Sequence, residues 1–161
     1  MSLTAAEVMT SPVVTARRDM TVRELIELLS KHQISGVPVV DSGGDLQGVV
    51  SLTDLALLSV ESRNAVRDAD SDYHSSPALD GLSTAGEHLR PEAETLDDRI
   101  WGIMSPDAIV AEEQTSIGAL ADMMLAHLIH RIVIVRGSQV VGIVSIRDIL
   151  VALRDRFPAT D

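Results

Sequence analysis

Apolar positions along the chain fall into two spacings, and each spacing occurs twice. Over residues 21–31, Val22, Leu25, Ile26 and Leu29 recur at the i, i+3, i+4, i+7 interval of one helix face. Thr21 stands ahead of them as an N-cap with Glu24 three residues on, a capping-box pattern. Residues 116–128 repeat the stripe with Ile117, Leu120, Ala121 and Met124. Each helix is followed by two short runs rich in Val and Ile, 37–40 with 47–50 and 132–135 with 140–144. Asp41-Ser42-Gly43-Gly44-Asp45 separates the first pair and Arg136-Gly137-Ser138-Gln139 the second, so both read as hairpins. Pro38 has no N–H for a ladder, which favours an edge or a strand start over a central position. A short extended piece precedes each first helix, Val13-Val14-Thr15 and Ala108-Ile109-Val110, and a second helix begins near Leu52 and near Ile146.

The two series are copies of one another. Residues 9–41 align with 104–136: Met9 meets Met104, His32 meets His127 and Val40 meets Val135, each 95 positions on. After a one-residue difference in the hairpin, Gly48-Val-Val-Ser51-Leu-Thr-Asp54 meets Gly142-Ile-Val-Ser145-Ile-Arg-Asp148, 94 positions on. The expected fold class is therefore α+β, two tandem β-α-β-β-α repeats packed with pseudo-twofold symmetry. Each repeat alone is near the lower size limit for independent folding, at roughly 50 residues, so the two must share a core. The expected division is 1–60 for the first repeat, 61–100 for an insertion and 101–161 for the second repeat. The insertion carries ten acids against four Arg and reads as a long flexible segment, with a helix expected over 96–104.

Composition narrows the function classes. The 161-residue chain has a net charge of −11 and a pI near 4.7, so its surface repels nucleic-acid backbones. It has no Cys, which removes disulfides, thiolate metal sites and a Cys nucleophile. No apolar run approaches the ~20 residues that span a bilayer, and no basic region leads into an apolar run at the N-terminus. A cytoplasmic protein without membrane or nucleic-acid partners is expected. There is no G-x-x-x-x-G-K-[ST] loop and no G-x-G-x-x-G, and no catalytic constellation stands out. No enzyme activity and no catalytic residues are expected. His32 and His127 fall at equivalent helix ends, where the dipole favours a cation, and no second ligand sits at metal spacing beside them.

In its motifs the chain resembles the CBS-domain family in its tandem, or Bateman-module, form. Val8-Met9-Thr10-Ser11-Pro12 and Ile103-Met104-Ser105-Pro106 open the two units. Gly36-Val37-Pro38-Val39-Val40-Asp41 and the paired Gly-h-h-Ser-x-x-Asp endings, h being apolar, complete the pattern. The resemblance implies two related clefts that bind AMP, ADP, ATP or S-adenosylmethionine as a regulatory ligand. It implies that Asp54 and Asp148 accept hydrogen bonds from ribose hydroxyls, with Ser51 and Ser145 near ribose or phosphate. Main-chain groups of Gly36, Val37 and Pro38, the segment at Thr15 and, in the second unit, Ile132 would meet the ligand as well. His130-Arg131, standing where the first unit has Ser35-Gly36, matches a His-Arg pair that contacts phosphates in nucleotide-sensing relatives. Ser-x-x-Asp at a helix start is equally a capping pattern that needs no ligand. The resemblance further implies a homodimer formed through helical faces and an unidentified regulated protein. A protein-interaction or dimerisation module with empty clefts is the alternative reading.

Overall fold

Capping chemistry starts the helices where the spacing places them. The computed structural model describes residues 3–59 and 95–157. The elements of the first unit are α1 (Ala5–Val8), β1 (Ala16–Arg17), α2 (Val22–His32), β2 (Gly36–Val40), β3 (Leu46–Ser51) and α3 (Leu52–Ser59). Two 3₁₀ turns, Thr95–Asp97 and Ile100–Gly102, lead into β4 (Val110–Glu112), α4 (Ile117–His127), β5 (Arg131–Arg136), β6 (Gln139–Ser145) and α5 (Ile146–Arg156). Thr21 accepts from the Glu24 N–H at 3.2 Å, while the Thr21 N–H donates to the Glu24 carboxylate at 2.7 Å, which is the expected capping box. Ser116 caps α4 in the same position, accepting from the Ala119 N–H.

The fold is α+β with two three-stranded sheets, ordered β1-β2-β3 and β4-β5-β6. In both, the first strand runs parallel to the middle one and the third antiparallel. Both antiparallel ladders slip at equivalent places, between Val39 and Val40 and between Ile134 and Val135. The duplication thus extends to an irregularity of pairing.

Three details depart from the expectations. The first strands lie at Ala16–Arg17, just past Val13-Val14-Thr15, and at Val110–Glu112, which shares only Val110 with the expected Ala108-Ile109-Val110. What sits beneath the helices in these strands is a small residue, Ala16 or Ala111, both buried. Pro38 lies in a middle strand, but β1 reaches only Val39 and Val40, so no β1 residue stands beside it. Residues 96–104 form short turns instead of a helix because their backbone is used elsewhere. Asp98 C=O accepts from the Val22 N–H, and the Ile100 N–H donates to Met20 C=O, both at 2.9 Å. Residues 60–94, which hold most of the acidic insertion, lie outside the described residues.

The opening segment of each unit is packed on the other unit. The Ala5 N–H donates to Thr115 C=O at 2.7 Å, the Ile117 N–H donates to Leu3 C=O at 2.9 Å, and Thr10 pairs with Ile143. Ala5 is buried in the second unit's core with Leu120, Met124, Ile132 and Val144. In exchange, Ile100 is buried in the first unit's core with Leu25, Leu29 and Val37, and Ser105 pairs with Val49. Gly48 and Gly142 mark the crossing points. A Cβ on Gly48 would run into the Ser105 carbonyl, and one on Gly142 into the Met9 side chain. Val49, Val133 and Val135 form a third cluster that joins the sheets. The hairpin tips also meet, with the Leu46 N–H donating to Ser138 C=O at 2.8 Å and the Ser138 hydroxyl to Asp45 at 2.6 Å.

Candidate functional site

The order strand–helix–strand–strand–helix brings the start of each middle strand beside the end of the third strand and the first turn of the second helix. In the first unit Gly36 is opposite Ser51, and in the second Arg131 is opposite Ser145. The residue just ahead of the middle strand is tied to the helix as well: the Leu52 N–H donates to Ser35 C=O at 2.8 Å and the Ile146 N–H to His130 C=O at 2.9 Å. Two clusters result. One contains Ser35, Gly36, Ser51 and Asp54, the other His130, Arg131, Ser145 and Asp148.

Both aspartates are capping residues. The Ser51 N–H and hydroxyl donate to Asp54 Oδ2 at 2.7 and 2.9 Å. Their counterparts on Ser145 donate to Asp148 Oδ2, both at 2.7 Å. These bonds hold each carboxylate at the N-terminus of α3 or α5, where the helix dipole favours negative charge. They use one carboxylate oxygen and leave Oδ1 outside the capping box. Asp148 is half-buried and lines an open groove of about 520 Å³ between α1 and α5, with Leu3, Glu7, Val8, Val151, Ala152, Asp155 and Arg156. Capping and access to a groove therefore coexist at Asp148.

The backbone-facing candidates are deeply placed. Val37, Pro38, Ser51 and Ile132 are buried, and Gly36, His130, Arg131 and Ser145 are half-buried. Thr15, half-buried one residue ahead of β1, lies apart from Asp148's groove. It lines a second hollow of about 470 Å³ with Ser11, Pro12, Val13, Val140 and Arg136. Arg136 there makes a bidentate pair with Glu113, both bonds at 2.7 Å, and the guanidinium holds the Glu113 carboxyl below the usual range.

Among the described residues, two buried side-chain polar atoms have no hydrogen-bond partner, Ser35 Oγ and His130 Nδ1, and they occupy equivalent positions of the two units. An orphaned buried polar atom costs about 1–3 kcal/mol, so two at one duplicated position call for a reason. Ser35 was absent from the expected site residues, although the 95-residue offset sets it opposite His130. His32 and His127 lie exposed in the last turns of α2 and α4. Among the described residues, no group of three or more His, Cys, Asp or Glu is placed to hold a metal ion, and no helix is long and apolar enough to cross a membrane.

Comparison with known proteins places this architecture. Protein MJ1426 of Methanocaldococcus jannaschii is 27% identical over 151 residues, 91% of this chain and 89% of its own length. Inosine-5'-monophosphate dehydrogenase of Halobacterium salinarum is 28% identical over 140 residues, but the match covers 86% of this chain and 21% of that enzyme. Among solved structures, the CBS domain of a CBS domain containing membrane protein from Sphaerobacter thermophilus is 30% identical with a TM-score of 0.67, covering 92% of this chain and 86% of that one. The CBS domain pair of MJ0100, solved with 5'-methylthioadenosine and S-adenosyl-L-methionine, shares the fold at 22% identity, a TM-score of 0.67 and coverage of 97% and 99%. CBSX2, solved with AMP, does so at 20% identity, a TM-score of 0.69 and coverage of 95% and 97%. The CBS-domain profile matches twice, at residues 5–61 and 100–155, and the chain belongs to the CBS-domain family as a tandem pair.

Proposed function

We propose that this CBS pair is a non-catalytic regulatory module that binds an adenosine-containing ligand, AMP, ADP, ATP or S-adenosylmethionine, beside the second unit's His130-Arg131 and Asp148. The observation that carries the reading is the buried, unpartnered His130 Nδ1, repeated at the equivalent Ser35 Oγ. A phosphate or carboxylate oxygen, or a sugar hydroxyl, supplies the missing partner. Arg131, the next residue in the chain, carries a permanently charged planar guanidinium suited to phosphate, and Asp148 adds an acceptor for ribose hydroxyls without leaving its cap. The first unit has Gly36 where the second has Arg131, so its cluster of Ser35, Ser51 and Asp54 suits a neutral part of a ligand better than a phosphate. On the family resemblance, Thr15 and the main chain of Gly36, Val37 and Pro38 are assigned to the adenine of a ligand in the first unit's cleft, and Ile132 and Ser145 to the ligand in the second unit's cleft.

The ligands in the MJ0100 and CBSX2 structures support the adenosine class. Binding regulates only if the ligand prefers one arrangement of the two units over another, and the exchanged opening segments give the units a shared element through which such a preference would act. Pairing of two copies, a regulated partner protein and a cytoplasmic location belong to the same proposal, as does the division into repeats at 1–60 and 101–161.

Isothermal titration calorimetry with the four ligands tests it. Binding to at least one of them is expected, and His130→Ala and Asp148→Asn should each weaken it by ~10-fold or more, the scale of a hydrogen bond to a charged group. Thermal melting of each variant separates lost contact from lost fold. Absence of heat with all four at millimolar concentration, or unchanged affinity in both variants, contradicts the proposal.

A further inference from the structure

Apart from Thr15, the residues that line the second hollow take no part in the proposed nucleotide site. The hollow is shared by the two units. Met9, Pro12 and Val13 come from the first unit's opening segment, Val140 and Val141 from β6, and Glu113 and Arg136 from the ends of β4 and β5. Its volume of about 470 Å³ falls within the roughly 300–1,000 Å³ of small-molecule pockets, which pair apolar walls with a few placed polar groups. Met9, Val13, Val140 and Val141 are half-buried and supply such walls.

The polar groups are a cation and an anion held side by side. Arg136 Nε and Nη2 donate to the two Glu113 carboxylate oxygens, both at 2.7 Å. A guanidinium has five N–H donors and each carboxylate oxygen has a second lone pair, so both groups keep capacity for a further partner. An exposed ion pair contributes little to stability, and the duplication does not require this one. At the equivalent positions of the first unit the charges are reversed, Arg18 for Glu113 and Asp41 for Arg136. Asp41 is spent on its own hairpin, accepting from the Gly43 and Asp45 N–H groups at 2.8 and 3.0 Å. Gln47, which reaches Asp41 at 3.4 Å, stands there in place of Val141.

We propose that the second hollow binds a free α-amino acid with an apolar side chain, its carboxylate on Arg136, its ammonium on Glu113 and its side chain among Met9, Val13, Val140 and Val141. A simple anion would meet Glu113 beside Arg136, on a chain whose net charge is already −11. A simple cation would meet Arg136. A zwitterion adds a charge-assisted bond to each group without breaking the pair. The site also spans the crossing of the units, since Met9 rests on Gly142 and the Ala6 N–H donates to Glu113 C=O at 2.9 Å. An occupant therefore stabilises the seating of the opening segment by mass action.

Methyl-detected NMR titration of the full chain with L-valine, L-leucine, L-methionine and L-phenylalanine at millimolar concentration tests the proposal. At least one should give saturable shifts of the Met9, Val13, Val140 and Val141 methyls. The same molecule without its amino group, or without its carboxylate, should bind ~10-fold or more weakly, the scale of one hydrogen bond to a charged group. Arg136→Gln and Glu113→Gln should each weaken binding to a similar degree, with methyl signals away from the hollow unchanged. Arg18→Gln, at the first unit's equivalent position, should leave binding as it is. The truncated ligands need no variant, so the test holds even if a substitution disturbs the fold. Absence of saturable shifts with all four amino acids, truncated ligands that bind as well as the parent, unchanged affinity in either Arg136→Gln or Glu113→Gln, or an equal loss in Arg18→Gln overturns the proposal.

Discussion

Gly48 and Gly142 show how a single residue type can encode a tertiary crossing. Neither has a positive φ; what each lacks is room, because the opposite unit's opening segment passes over it. Gly48→Ala drives a methyl into the Ser105 backbone, and Gly142→Ala into Met9, whose side chain can turn away. Urea denaturation should show both variants less stable, with Gly48→Ala losing ~1–3 kcal/mol, the scale of overpacking, and Gly142→Ala losing less. Met9→Ala should recover part of the Gly142→Ala loss, since contacting residues are not additive. These glycines were legible in the sequence as part of a repeated motif, but their reason was not. The motif sits beside Ser51-Asp54 and Ser145-Asp148, and nothing local reveals which distant segment lies against it. The orphaned Ser35 and His130 atoms are invisible in the same way, because hydrogen-bond satisfaction is a property of packing.

Helix starts were the most readable elements, since their chemistry is confined to one turn. The Thr21–Glu24 box forms as its spacing predicts, and an analogous pair joins Thr4 and Glu7 at α1. In both, hydrogen bonds from the Thr backbone and hydroxyl hold the glutamate's pKa below its ordinary value. A lowered folded pKa means stability that is present above the unfolded value of ~4.5 and is lost as pH falls through the folded value. Acid should therefore lower the melting temperature in part through these two boxes. Glu24→Gln, which keeps a side chain able to close the box, should melt below the wild type at neutral pH and converge on it as pH falls through the lowered Glu24 pKa. Melting curves with a constant difference at every pH would contradict the assignment. First strands were read less well: β-branched runs at 13–15 and 108–110 drew attention from Ala16 and Ala111, whose small size fits them beneath the helices.

At the scale of the whole molecule, duplication fixed the pseudo-twofold plan, while the exchange of opening segments is a connection that periodicity does not specify. Its consequence is that a change near the N-terminus acts on the second unit. Ala5→Asp places a charge among Leu120, Met124 and Ile132, so hydrogen exchange should quicken in β4–β6 more than in β2 and β3. Quickening confined to the first unit would show the segments are not exchanged in solution. The proposed function has a ligand complete the hydrogen bonding of the buried His130 Nδ1, and imidazole nitrogens report such a bond directly. The most direct measurement is a long-range ¹H–¹⁵N correlation spectrum of the histidine rings with and without AMP at millimolar concentration. The account predicts that the His130 nitrogens shift on addition of AMP while those of His32 and His127, exposed at helix ends, stay in place. A His130 signal unmoved by AMP, ADP, ATP and S-adenosylmethionine alike would contradict it.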